Sequence, residues 1–214
     1  MPPQEARVWT TARKVYGNVL PLVVASPLLY QAAVAYGRGG PSVVLIYWIA
    51  AFLAGAWVAL ALMGYVGNGS MRREMSRRMH IDRPFDRTER YFVGFARPVF
   101  RSALDPHEDV GFLVLHPDRL EFWGSERKAT LEREAIAGVC FRPNTHSLVG
   151  LGRWVSVEAV VEGKPVRLLV EPRGKATLLG NFVFSRRLLR RIEGWMAEGP
   201  RAEAQDPSES SSVP

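Results

Sequence analysis

Val43 to Val66 reads VVLIYWIAAFLAGAWVALALMGYV, a stretch without one charged side chain. An α-helix rises 1.5 Å per residue and a bilayer's hydrocarbon core is about 30 Å thick, so about 20 apolar residues suffice to cross it. The stretch therefore predicts a transmembrane helix over 43–66. Tyr47 and Trp48 lie near one end and Tyr65 near the other, where amphipathic rings favour the membrane–water interface.

Working outward, Asn18 to Tyr36 is also free of charge and predicts a first transmembrane helix over 18–36, although it carries Pro21, Pro27, Asn18, Ser26 and Gln31. Proline near the start of a membrane helix is tolerated. The alternative is a cleaved signal peptide, because Arg13 and Lys14 precede the stretch and Ala33-Val34-Ala35 resembles a small-x-small cleavage site. The stretch exceeds the roughly 7–15 apolar residues usual for a signal, which favours a retained helix.

Orientation follows from Lys and Arg near the helix ends. Arg7, Arg13 and Lys14 flank the first helix in a short segment, 1–17; the connection 37–41 holds only Arg38; Arg72, Arg73, Arg77, Arg78 and Arg83 follow the second helix. Both termini are expected in the cytoplasm. The formal net charge of +7 and pI of about 10 are set first against this topology rather than against nucleic acid. Arginine outnumbers lysine 24 to 4, the codon bias of a GC-rich, bacterial genome, so the expected location is a bacterial inner (cytoplasmic) membrane, crossed twice. Cys140 is the only cysteine, which excludes an internal disulfide and any multi-cysteine metal site.

Ala51, Gly55 and Ala59 recur at small-xxx-small spacing on one face of the second helix, permitting close approach of another helix. Packing against the first helix of the same chain and homodimerisation are the two readings. Beyond the second helix, 67–88 reads as a basic juxtamembrane linker.

From about Glu89 the continuous apolar runs give way to short ones separated by turn signals, the pattern of strands. They are Tyr91–Ala96, Val110–Leu115, Leu120–Trp123, Ala129–Leu131, Ala137–Phe141, Trp154–Val161 and Val166–Val170. His116-Pro117-Asp118-Arg119 and Glu162-Gly163-Lys164-Pro165 read as tight hairpins. Val155, Val157 and Ala159 alternate to one face of their strand. Ser185 to Glu198 predicts a closing helix with Ser185 as N-cap and an apolar stripe of Leu188, Leu189, Ile192, Trp195 and Met196. The tail 199–214 is Ser, Glu, Pro and Ala without apolar period and is expected to be disordered.

Seven antiparallel strands followed by one amphipathic helix resembles the pleckstrin-homology superfold. More narrowly, 89–198 resembles bacterial membrane-anchored pleckstrin-homology-like (GRAM-like) domains through Phe112-Leu113-Val114-Leu115, Arg119-Leu120-Glu121-Phe122-Trp123 and Leu131-Glu132-Arg133-Glu134-Ala135-Ile136-Ala137-Gly138-Val139. The resemblance covers about half the chain. It implies a bent seven-stranded barrel plugged by the C-terminal helix, serving as a lipid-headgroup or protein-binding module. Phosphoinositide-binding members carry a basic cluster across their first hairpin; here only Arg119 is basic between Val110 and Trp123, opposed by Asp118 and Glu121.

His80, His107, His116 and His146 share no spacing that places two on one face, so no metal is expected, and no nucleophile elbow, phosphate loop or paired acidic motif points to catalysis or to a cofactor. Gly150-Leu151-Gly152 is only a fragment of a dinucleotide fingerprint. The candidate membrane-surface or ligand-binding residues are the basic runs Arg72, Arg73, Arg77, Arg78 and Arg186, Arg187, Arg190, Arg191. Juxtamembrane cations attract anionic lipid by about 1 kcal/mol each, while positive flanks also arise from topology alone. The loop His146 to Arg153 is apolar where a loop should be polar, suited to dipping into the bilayer, meeting a partner or burying against the domain.

The function expected is therefore a non-enzymatic membrane-anchored binding module whose cytoplasmic domain contacts the lipid surface or a protein partner. The rival is a structural or assembly subunit of a larger membrane complex. Nucleic acid is disfavoured, because the Arg-rich faces are not interleaved with aromatics.

Overall fold

The computed structural model describes residues 8–79, 89–97 and 107–198. The expectations for Arg7, His80, Arg83, the 80–88 part of the linker and the tail 199–214 lie outside these residues.

Helix α1 (Thr11–Gly37) starts seven residues before the apolar stretch. Thr10 caps it, its hydroxyl accepting from the Arg13 amide at 3.3 Å, so Arg13 and Lys14 ride on the first turn rather than in a flank. Pro21 and Pro27 sit inside, each removing one backbone donor from the ladder. A tight connection at 38–41, with Gly39 at φ +66°, reverses the chain into α2 (Ser42–Met63). The two helices pack as an antiparallel hairpin. Gly55 lies so close to α1 that an added Cβ would stand 2.8 Å from Leu28 Cδ1, with Ala25 next to it. Both helices are long and apolar enough to cross a membrane, and only 17% and 6% of their most apolar windows are buried inside the protein. Their outer faces instead expose Leu22, Val23, Leu29, Ile46, Leu53 and Leu62.

The segment read as a linker is a helix over its first half, α3 (Asn68–Arg78). Met71 and Met75 are buried, with Met79 partly so, an i, i+4, i+8 stripe opposite Arg72, Arg73 and Arg77. That stripe, with Val8 and Trp9, covers Phe92, Val110, Phe112 and Val114 on the outer face of the sheet.

Seven antiparallel strands follow: β1 (Glu89–Ala96), β2 (Asp109–Leu115), β3 (Arg119–Gly124), β4 (Lys128–Glu132), β5 (Ile136–Arg142), β6 (Trp154–Val161) and β7 (Lys164–Pro172). Each encloses or matches one of the apolar runs. The sheet order is β4-β3-β2-β1-β7-β6-β5, so the first and last strands pair inside the sheet and β4 and β5 are its edges. The ladder is open where the pleckstrin-homology resemblance implies a barrel. β2 is buried along its whole length because both faces are covered, which is why its sequence runs apolar instead of alternating. Glu162 and Gly163 both take positive φ (51° and 73°), the backbone of the expected two-residue hairpin between β6 and β7.

The inner core gathers Val93, Leu113, Phe122, Val155, Val157 and Val170 under Leu188, Ile192 and Trp195 of α4 (Leu178–Ala197). This helix begins seven residues earlier than its apolar stripe predicted. Thr177, not Ser185, is the N-cap, accepting from the Gly180 amide at 3.0 Å; Ser185 is buried in mid-helix and donates to the Asn181 carbonyl. Gly180 and Asn181 are poor helix formers and masked the first two turns. Asn181 is nevertheless needed there, since its side chain bonds the backbone of Lys175 and Thr177 and fixes the approach to the helix.

Candidate functional site

The end of α2, the start of α1 and one edge of β7 meet at a buried polar cluster. The alternation of β7, continued one residue past its end by the Arg173 amide donating to the Phe92 carbonyl, puts Glu171 and Arg173 on the same face. Glu171 is 1% exposed. Its Oε2 accepts from the Tyr65 hydroxyl at 3.0 Å, and stands 3.0 Å from His107 Nε2 and 3.4 Å from His146 Nδ1. Three residues from three distant stretches thus converge on one carboxylate oxygen.

Glycines make the room. Gly94 of β1 pairs with Glu171 in register, and a Cβ there would lie 2.0 Å from His107 Cδ2. Gly152 does the same for His146, whose Cβ would stand 2.3 Å from the added atom. Among the described residues no group of three or more His, Cys, Asp or Glu could hold a metal ion.

Burial taken alone would raise the Glu171 carboxyl. The contacts of His107 and then His146, through hydrogen bonding and charge, outweigh it and hold the group well below the usual carboxylate range. A depressed folded value contributes stability that is fully present above the unfolded value of about 4.3 and is lost as pH falls below it. The stability gap between wild type and Glu171→Gln should therefore narrow on acidification below about pH 4.3. Denaturant titrations across that range read it directly, and a gap independent of pH would refute the assigned state of Glu171.

Arg173 extends the cluster toward the helices. Its Nε donates to Asn68 Oδ1 at 3.0 Å, and its guanidinium lies 4.1 Å from the Trp9 ring centre and 4.4 Å from that of Tyr65. Asn68 in turn donates to the Lys175 carbonyl at 2.9 Å. Lys14 and Trp9 both donate to the His107 carbonyl, each at 3.2 Å. Beside these groups lies a cavity of about 340 Å³ between the start of α1, the end of α2 and Arg173, just beyond β7.

The apolar loop divides its side chains. Residues 145–149 form a 3₁₀ turn held by a capping box between Asn144 and Ser147. Leu151 is buried against Tyr65 and Leu178, whereas Leu148 is 86% exposed. Trp57 Nε1 of α2 donates to the Val149 carbonyl at 2.8 Å. Trp57 lies six residues before the end of α2, so the loop reaches about 9 Å along the apolar helix.

The two basic runs lie on different helices. On α3, Arg72, Arg73 and Arg77 are exposed and line a shallow depression with Ser76, while Arg78 pairs with Glu74, which also receives Arg13 at 3.0 Å. On α4, Arg186, Arg187 and Arg190 are exposed, but Arg191 bridges Glu89 at 2.7 Å and Glu198 at 2.8 Å, which hold it above the ordinary arginine range. Arg119, the one cation of the β2–β3 hairpin, is paired with Glu121 at 2.7 Å and Asp118 at 3.0 Å. Cys140 is half-buried.

Sequence reasoning found the basic faces and the apolar loop but not the polar cluster. Two histidines 39 residues apart carry no spacing signal, and only a charged Glu171 and Arg173 ending an apolar strand hinted at a buried site. No protein-family model matches the chain and no curated protein matches it in sequence, so the meaning of this junction rests on its geometry.

Proposed function

We propose that the chain is a non-enzymatic, membrane-anchored binding module: a two-helix hairpin in a bacterial inner membrane, both termini cytoplasmic, holding a pleckstrin-homology-like domain against the lipid surface. The observation that carries it is the bond between Trp57 and the Val149 carbonyl, which holds the loop bearing the exposed Leu148 part-way along a helix whose outer face is apolar. A soluble domain tethered at a distance has no reason to present an 86%-exposed leucine at that depth. The exposed arginines of α3 and α4 supply the charge that an anionic leaflet attracts. The seven antiparallel strands and closing helix support the pleckstrin-homology-like reading in element order, and the paired state of Arg119 argues that any headgroup contact is made elsewhere than the first hairpin. Tethering raises the local concentration of lipid or membrane-protein ligands, so weak intrinsic affinity suffices.

The test uses the full chain with Cys140→Ser, reconstituted in vesicles and labelled with an environment-sensitive fluorophore at Leu148→Cys or, as a water-facing reference, Glu162→Cys. Brominated lipid should quench the label at 148 and not at 162. Equal quenching at both positions would discard the lipid-contact reading, and a reporter fused after Pro214 that is active only outside the cytoplasm would discard the orientation.

A further inference from the structure

The cavity between α1, the end of α2 and Arg173 has an unusual balance of charge. Arg13, Lys14 and Arg173 line it together with His146, and among the described residues no Asp or Glu does. Arg13 is neutralised by Glu74, but Arg173 and Lys14 have no carboxylate partner among the described residues. Glu171, two residues before Arg173, already accepts from Tyr65 and has His107 and His146 within 3.4 Å of the same oxygen. Arg173 is 3% exposed, and its Nη1 is buried without a hydrogen-bond partner. A buried guanidinium held by one amide oxygen and two aromatic faces keeps an unused donor, an arrangement that costs stability unless an anion completes it.

The remaining walls are of the opposite character. Tyr16, Leu60, Met63 and Val66 carry the cavity outward onto the apolar surface of the hairpin, where Tyr16 is 57% and Val66 51% exposed. An occupant must therefore present an anionic group at the inner end and hydrocarbon at the mouth. At about 340 Å³ the space takes a headgroup and its first methylenes, with the rest of the molecule leaving along the helices.

We infer that this junction cavity binds the phosphate of an anionic lipid, which sits between Arg173 and Lys14 while its acyl chains run along α1 and α2. The inference rests on the membrane-anchored reading and names the site and ligand class within it. The bound phosphate would bridge the segment just after β7 to the start of α1, so the lipid would tie the domain to its anchor as well as occupy a site.

The experiment follows thermal unfolding of the full-length protein in neutral detergent during titration with dioleoylphosphatidic acid, dioleoylphosphatidylcholine or inorganic phosphate. Phosphatidic acid should raise the midpoint saturably and the choline lipid should not. Lys14→Gln should weaken the apparent affinity about fivefold, the value of one lost cation–phosphate attraction near a membrane surface. Ala12→Trp, at an exposed position that lines the cavity, should abolish the effect without touching the polar cluster. An equal shift with inorganic phosphate would assign the site to a water-soluble anion and overturn the lipid assignment. Titrations unchanged by Lys14→Gln and Ala12→Trp but lost in Arg72→Gln/Arg73→Gln would overturn the cavity as the site. Neither result bears on the quenching at Leu148, so failure here and failure of the membrane-anchored reading are told apart.

Discussion

Glu171→Ala is expected to lower the unfolding free energy by about 3–5 kcal/mol, the loss that follows when one partner is removed from a buried charge contact. The reason is what remains: Tyr65, His107 and His146 would face a void in place of the carboxylate on which they converge. The same change should loosen the domain from its helices, since Tyr65 leaves α2 and Glu171 sits on β7. Chemical denaturation in detergent reads the first effect, and protease sensitivity of the 64–67 turn reads the second. Glu158→Ala removes a surface carboxylate paired with Arg142 and should leave stability close to that of wild type. A double-mutant cycle of Tyr65→Phe with Glu171→Gln should be non-additive, as expected for directly bonded groups. Additivity together with a small Glu171→Ala effect would mean that the cluster does not join the two parts.

Trp195→Ala is expected to cost about 3–5 kcal/mol through the cavity left in the inner core. The indole is 4% exposed and lies in the same cluster as Leu188, Ile192 and Phe122. Its Nε1 donates to the His116 carbonyl at 2.7 Å, fixing α4 to the β2–β3 turn. Arg133 covers the outer side, 4.7 Å from the ring centre, and also donates to the Trp195 carbonyl. Trp195→Phe should recover most of the packing but leave the His116 carbonyl without that donor, an intermediate loss. Arg190→Ala, exposed on the same helix, should fall within about 0.5 kcal/mol of wild type. If Trp195→Ala unfolds no more readily than Arg190→Ala, α4 does not close the core in solution.

The linker shows where reading by composition stops. Charged residues dominate 68–78, and a run of arginines after a membrane helix is explained by topology alone, so Met71, Met75 and Met79 passed unnoticed as a helical stripe. Those methionines cover the outer face of β1 and β2, so the domain's edge in sequence is not an edge in energy. Removing residues 1–83 would expose Phe92, Val110, Phe112 and Val114 at once. The start of α4 was lost for a related reason, because Gly180 and Asn181 signal a loop locally while tertiary hydrogen bonds hold them in the helix.

From its residues alone the chain determined two helices long and apolar enough to cross a membrane, seven strands and a closing helix, because uncharged length and the alternation of side chains across a pleat are properties of neighbouring residues. Tertiary structure alone decided the junction. Glu171, His107, His146 and Tyr65 lie up to 106 residues apart, and nothing local marks them as partners. They meet because β7 pairs with β1 opposite Gly94, because α2 ends where Tyr65 can turn inward, and because the loop at 145–151 folds back along the helix. Burial then gives their charges the strength that water would have screened.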